Sequence, residues 1–221
     1  MAERKTRRGK TRNRLEVDQR KEELLRLGRR LFGRYDYESL SISDIAEKAG
    51  VSKGLLYHYF PTKRDFYVET VRAAADELLR LTEGDPALSP LEQLRGALGA
   101  YLGYVEENSS AYISLLQSGI GVDAAVAKIV EEVRESVAAR ILESLGLNQP
   151  SATLRLALRG WIGFAEGAST EWLRTRATSR EALQTMLEAQ LIFTLSRANL
   201  APSVAKGALR RIRHVFGSEV R

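Results

Sequence analysis

The sequence has no cysteine. That excludes disulfides, thiolate metal sites and cysteine nucleophiles together, and it fits a reducing compartment. Histidine is nearly as scarce, with His58 and His214 the whole supply. No metal-ligand spacing, nucleophile elbow or P-loop is present. No metal, no cofactor and no catalytic residue is therefore expected, and an enzyme is not. Long apolar runs are missing too, and none approaches the ~20 residues that a membrane span needs. The first residues are charged and no apolar stretch follows them, so no secretory signal is read there. A cytoplasmic protein without a membrane partner is expected. Sustained period-two alternation is also absent, as are internal repeats and heptads, which makes the fold class all-α.

What the sequence does have is charge, unevenly placed. The net charge is +6 over 221 residues. Residues 1–65 hold 17 Lys and Arg against 10 Asp and Glu, and the remainder holds 17 against 18. The asymmetry predicts an anionic partner for the N-terminal third alone. Nucleic acid leads, and an anionic membrane surface is the rival. The membrane reading needs a basic amphipathic helix with a wide apolar face. The most basic stretch, MAERKTRRGKTRNR at 1–14, lacks that face. Such a segment does not fold alone. It is expected to be a disordered basic arm, either a solvated tail or a strand of charge lying along phosphates or in a minor groove.

Helical spacing begins after the arm. Asp18 suits an N-cap, and Leu24, Leu27 and Leu31 recur on one face. Ser41 and Asp44 form a capping box. Ile42, Ile45, Ala46 and Ala49 then make a short apolar face that ends at Gly50. Ser52 caps a second short helix, which stops before Pro61. Thr62, with Asp65 three residues on, opens a longer helix to about residue 81. TEGDPALSP, with Gly84, Pro86 and Pro90, is the best break. Beyond it lie stripes through Leu98 and Leu102, and through Val126 and Ile129. Two long helices follow at about 152–176 and 181–198, and a short one at about 202–215. The implied organisation is a basic arm at 1–14, a three-helix domain at 15–62, a connecting helix at 63–81 and a larger helical bundle at 82–221.

Two short helices joined by a tight glycine-containing turn read as a helix-turn-helix. In its second helix Leu55, Leu56, Tyr59 and Phe60 are placed to anchor, which turns Lys53, Gly54, Tyr57 and His58 outward. An outward Tyr and Lys beside a Gly suits a surface pressed on phosphates and base edges. The bland alternative is a helical hairpin with a basic face. The segment SISDIAEKAGVSKGLLYHYFPTKRDFY resembles the N-terminal signature of the TetR family of bacterial repressors. The matching positions are Ile45, Ala46, Ala49, Gly50, Val51, Ser52, Gly54, Tyr57, Phe60 and Lys63. The resemblance implies a two-domain dimer that binds a double-stranded operator and answers a small-molecule effector. Carried over, the DNA contacts are Ser41, Ile42, Ser52, Lys53, Gly54, Tyr57 and His58, with Lys63 on phosphate. His58 and Tyr59 stand where many members have Tyr then His. Leu55 sits where some place a polar base reader, and it either meets a thymine methyl or belongs to the core.

The last two thirds carry no comparable motif. Tyr101, Tyr104, Tyr112, Trp161 and Phe164 are the expected walls of a largely apolar effector pocket between helices, though each on its own is more simply a core aromatic. Glu166, Arg155 and Arg159 lie opposite Trp161 and Trp172 on their helix. That charged side is expected to meet solvent, a second subunit or a polar ligand. Gly160, Gly163, Gly167 and Ala168 suit close helix packing in a homodimer. The resemblance further implies release by tilting of the connecting helix when the effector binds, with a coupling of ~1–3 kcal/mol. The leading function is a repressor. An activator of the same architecture, or a ligand-binding helical protein without specific DNA recognition, are the alternatives.

Overall fold

Serine starts most of the helices whose first turn can be inspected. Ser41 Oγ accepts the Asp44 N–H at 3.1 Å, Ser52 that of Leu55 at 3.1 Å, and Ser89 that of Glu92 at 3.4 Å. Ser151 accepts from Leu154 at 3.1 Å and Ser179 from Ala182 at 3.2 Å. Each satisfies one of the backbone donors that a helix start leaves orphaned. The computed structural model describes the backbone of residues 3–119, 121 and 123–198, and the side chains of residues 19–117, 121 and 123–198.

Among the described residues there are nine α-helices and no strand. They are α1 (Glu3–Arg34), α2 (Ile42–Ala49), α3 (Lys53–Tyr59), α4 (Lys63–Leu81), α5 (Pro90–Glu107), α6 (Ser109–Ser114), α7 (Ala124–Ser144), α8 (Ala152–Thr175) and α9 (Arg180–Arg197). A 3-10 turn at Tyr37–Ser39 precedes α2, and a π-helical turn at Leu115–Gly119 follows α6. The helix expected at 202–215 lies outside the described residues. Two details differ from expectation. Helix α1 runs through Asp18 instead of starting there, because the Lys, Arg, Glu and Leu before it are good helix formers. Helix α6 and its π turn, over 109–119, are not expected from the sequence.

The chain forms two compact units, Met1–Ala74 with Ser110–Ala127, and Ala75–Ser109 with Lys128–Arg221. The first unit buries Leu24, Leu31, Phe32, Leu40, Ile45, Leu56, Phe60 and Phe66. Its centre is aromatic. Phe32 meets Tyr67 edge-on at 4.7 Å between centroids, and Phe60 meets Phe66 at 4.8 Å, a geometry that benefits from ring quadrupoles. Two glycines of α1 permit close approach. A Cβ on Gly28 would lie 2.9 Å from Phe66 Cζ, and one on Gly33 would lie 2.7 Å from the Ala111 backbone nitrogen.

The second unit is built on α8 and α9. Leu154, Leu158, Trp161, Ala165 and Trp172 of α8 are buried, as are Leu183, Leu187, Leu191 and Leu195 of α9. The buried indoles keep their donors satisfied: Trp161 Nε1 donates to Leu187 O at 3.1 Å and Trp172 Nε1 to Thr178 O at 2.9 Å. Leu98, Leu102, Tyr104 and Val105 of α5 complete this core. The charged side of α8 meets solvent at Arg155 and Arg159 and, in addition, helix α7. Arg134 of α7 holds Glu166 with two nitrogens, at 2.9 and 2.7 Å, and Arg159 reaches Glu131 at 3.0 Å. Glu166 and Arg159 therefore pair with α7 of the same chain, while Arg155 is exposed.

Candidate nucleic-acid interface

The geometry of α2 and α3 follows from their ends. Ser41 and Asp44 cap each other, since the Ser41 N–H also donates to Asp44 Oδ2 at 2.9 Å. The Ser41 hydroxyl donates to the same carboxylate at 2.6 Å, and these bonds hold the Asp44 carboxyl below the usual carboxylate range. Helix α2 stops at Gly50, whose φ of 63° is left-handed, a conformation that glycine adopts without steric cost. Val51 leads directly to the Ser52 cap of α3.

Leu56 and Phe60 are fully buried, and their spacing of four sets the roll of α3 about its axis. The opposite face carries Lys53, Gly54, Tyr57 and His58, all exposed, with Tyr57 at 49%. Leu55 and Tyr59 are half-buried at the edges. A Cβ added to Gly54 would meet nothing nearer than Ser52 Oγ at 3.9 Å. The fold itself does not require a glycine there, so its smallness matters only to something arriving from outside. A short helix that turns a Tyr, a Lys and a His to solvent over a bare backbone is suited to phosphates and base edges.

The neighbours of this face are placed as follows. Ser41 is exposed with its hydroxyl committed to the cap, and Ile42 is half-buried. Ser52 uses its oxygen as acceptor, which leaves its proton for another partner. Lys63 is half-buried. Its Nζ donates to Tyr37 O at 3.0 Å and lies 4.1 Å from the Tyr37 ring centroid. The contact aims the ammonium, and an ammonium has two further donors. The next residue, Arg64, grips Asp123 of the turn before α7. Sequence reading missed both anchors, because they join residues 26 and 59 apart with no local pattern.

The expected effector residues are not all in one place. Tyr104 is buried and Tyr101 half-buried on α5, and Trp161 is buried on α8. Phe164 is 39% exposed on the other side of α8, and Tyr112 belongs to the first unit. An open cleft of about 540 Å³ in the first unit is lined by Gly33, Tyr35, Ser39, Ser110, Ile113 and Gln117 among others, and by none of these five. No group of three His, Asp or Glu suited to a metal occurs among the described residues. No described helix is long and apolar enough to cross a membrane.

The α2–α3 pair defines a helix-turn-helix DNA-binding protein. Residues 24–70 match the family model "Bacterial regulatory proteins, tetR family", and residues 90–194 match "Tetracyclin repressor-like, C-terminal domain". Together the two models cover more than half of the chain. The chain belongs to the TetR family of DNA-binding transcriptional regulators, which are not enzymes. It is 26% identical over 172 residues to the HTH-type transcriptional activator FasR of Mycolicibacterium smegmatis, covering 73% of this chain and 75% of that protein. It is 32% identical over 96 residues to the HTH-type transcriptional repressor KstR2 of the same organism, covering 42% and 47%. That alignment spans about half of the repressor's length. A solved TetR-family regulator from Streptomyces coelicolor superimposes with a TM-score of 0.78 at 26% identity, covering 92% of this chain and 99% of that one.

Proposed function

We propose that the protein is a ligand-responsive repressor that binds a pseudo-palindromic operator as a homodimer and is released by a small, largely apolar effector. The observation that carries this reading is the outward face of α3, where Lys53, Gly54, Tyr57 and His58 are exposed while Leu56 and Phe60 anchor the helix. Lys53 and Lys63 neutralise phosphates, and Ser52 and Tyr57 donate hydroxyl hydrogen bonds to them. Gly54 admits the sugar-phosphate chain, and His58 adds a donor. Ser41 acts through its cap, fixing the start of α2 beside Ile42. Residues 15–62 form the reading head, 63–81 the connecting helix and 82–221 the effector and dimer part.

Dimerisation is supported by an uncovered apolar face. Leu156 is 74% exposed, Phe193 55%, Met186 44% and Phe164 39%. On α8 a Cβ at Gly160, Gly163 or Gly167 would meet nothing within 4 Å. Exposed apolar side chains at helical spacing, beside bare backbone, suit another helix pair. Two-fold pairing there gives two reading helices for two half-sites. Tyr101, Tyr104 and Trp161, all of the second unit, are the proposed walls of the effector site. The effector favours the conformer in which α4 is tilted, and so lowers operator affinity. The protein acts in the cytoplasm, where its DNA is.

An activator is the second reading, favoured by the longer match to FasR. Both readings share the same DNA contacts and differ in the sign of a reporter response. Titration of a selected palindromic duplex against mixed-sequence DNA tests the common part. A preference of far more than tenfold is expected, and equal affinity for the two overturns the reading.

A further inference from the structure

The chain's net charge lies entirely in its first fourteen residues. The full sequence has 34 Lys and Arg and 28 Asp and Glu. Residues 1–14 hold seven of the basic residues and a single acid, Glu3, which leaves 27 of each sign in the rest. Many basic side chains of the folded body also face acids of the same chain. Lys21 pairs with Glu69, Arg64 with Asp123, Arg134 with Glu166 and Arg176 with Glu106. A body that is neutral overall draws a polyanion weakly from a distance. The long-range attraction therefore falls to residues 1–14.

The structure says where that charge is rooted. Helix α1 is continuous from Glu3 to Arg34, so the basic segment is the leading part of a helix whose later turns sit in the core of the reading head. Lys21 Nζ lies 5.7 Å from the centroid of the Phe60 ring, and Phe60 is the C-cap of α3. The chain that precedes Lys21 therefore springs from beside the end of the reading helix. Residues 3–14 as helix rise about 17 Å.

The segment is not written to pack on protein. Apolar residues are nearly absent, so it has no stripe to bury. Like charges recur four residues apart, at Arg4 and Arg8, Arg8 and Arg12, and Lys10 and Arg14. Such pairs repel along a helix, and a row of phosphates relieves that repulsion.

We propose that residues 1–14 grip duplex phosphates outside the bases read by α3, adding sequence-independent affinity and lengthening the footprint. The inference rests on the reading that the head binds duplex DNA. It goes beyond that reading by assigning the salt-sensitive part of the affinity to a segment outside the helix-turn-helix.

The test compares three full-length proteins on a mixed-sequence duplex of about 40 base pairs, four helical turns. These are the wild type, a variant with all seven basic residues of 1–14 changed to Gln, and one with the five arginines among them changed to Lys. Anisotropy titrations across a KCl series yield the slope of log affinity against log salt. Each phosphate contact contributes about 0.9 to that slope. The Gln variant is expected to be shallower by about 3 to 6, with at least about a tenfold loss of affinity at low salt. The Lys variant should keep the wild-type slope, because charge and not the guanidinium shape is at work. A Gln-variant slope within about one of wild type overturns the proposal. So does wild-type binding to phosphatidylserine vesicles in preference to the duplex. Hydroxyl-radical footprinting of the wild type on a selected operator needs no variant, and protection confined to the two half-sites also overturns it. Loss of preference for a palindrome leaves the slope comparison intact, so the arm and the repressor reading fail separately.

Discussion

Arg64 holds Asp123 with two nitrogens, Nε donating to Oδ2 and Nη2 to Oδ1, the latter at 2.9 Å. The same Oδ1 accepts the Ala125 N–H at 2.7 Å. One carboxylate thus starts α7 and fastens the first turn of α4, next to the Lys63 that is proposed to meet phosphate. The guanidinium holds the Asp123 carboxyl below the usual carboxylate range. Asp123→Ala removes both functions, and it should lower Tm by about 2–4 °C. Asp123→Asn keeps a good capping oxygen and loses the ion pair, so its Tm should fall between the two. Thermal melts followed by circular dichroism check the order. An Asn variant no more stable than the Ala variant would show that the cap contributes nothing.

Acid should weaken the protein through a defined set of carboxyls. Asp44, Glu92 and Asp123 are among the carboxyls held below their ordinary values, chiefly by Ser41, Ser89 and Arg64. A carboxyl whose folded value is depressed stabilises the fold fully above its unfolded value near 4 and loses that contribution as pH falls through the folded value. Tm should be level from pH 7 to about 5 on their account, then fall. Asp123→Asn lacks one of the three, so its Tm should fall less between pH 5 and 3 than that of the wild type. Parallel curves for the two proteins would remove Asp123 from the set.

Two glycines in helices should respond to alanine with opposite signs. A Cβ on Gly33 points at the backbone nitrogen of Ala111 at 2.7 Å, which cannot move aside as a side-chain tip can. Gly33→Ala should destabilise by about 1–3 kcal/mol. On α5 a Cβ at Gly96 meets nothing within 4 Å, so Gly96→Ala should stabilise by up to about 1 kcal/mol through helix propensity alone. Urea midpoints of the two variants on opposite sides of wild type are the expected result.

The proposed dimer face can be tested without DNA. Phe164 and Phe193 are exposed on α8 and α9 and do not belong to the buried core. Changing both to Asp should leave each chain folded and shift sedimentation from dimer to monomer. If the variant stays dimeric, the subunits pair through some other face.

Much of the architecture was legible because short-range chemistry wrote it. The Ser41–Asp44 box, the Ser52 cap, the left-handed Gly50 and the stop before Pro61 all act within four residues, and they sufficed to outline α2 and α3. Burial of Leu56 and Phe60 then follows from helical spacing. Tertiary pairings were not legible. Lys63 with the Tyr37 carbonyl, Arg64 with Asp123, and Glu166 with Arg134 join distant residues, and the sequence holds no sign of which partner each charge chooses. Helix α6 with its π turn went unseen because it is only six residues long, too short for its spacing to stand out. Asp18 misled because a good capping residue is also tolerated within a helix when strong formers precede it. The effector site was the least legible part, since the same aromatic residues fill cores and line pockets.

The central claim is that α3 reads DNA with Lys53, Gly54, Tyr57 and His58. Selection of bound duplexes from a random library tests it most directly, run with wild type and with a Lys53→Ala, Tyr57→Ala double variant. The wild type should enrich an inverted repeat whose half-sites lie one helical turn, about 10 base pairs, or a multiple apart. The double variant, whose core residues Leu56 and Phe60 are untouched, should enrich it weakly or not at all. Enrichment of the same repeat to the same degree by both proteins would contradict the account.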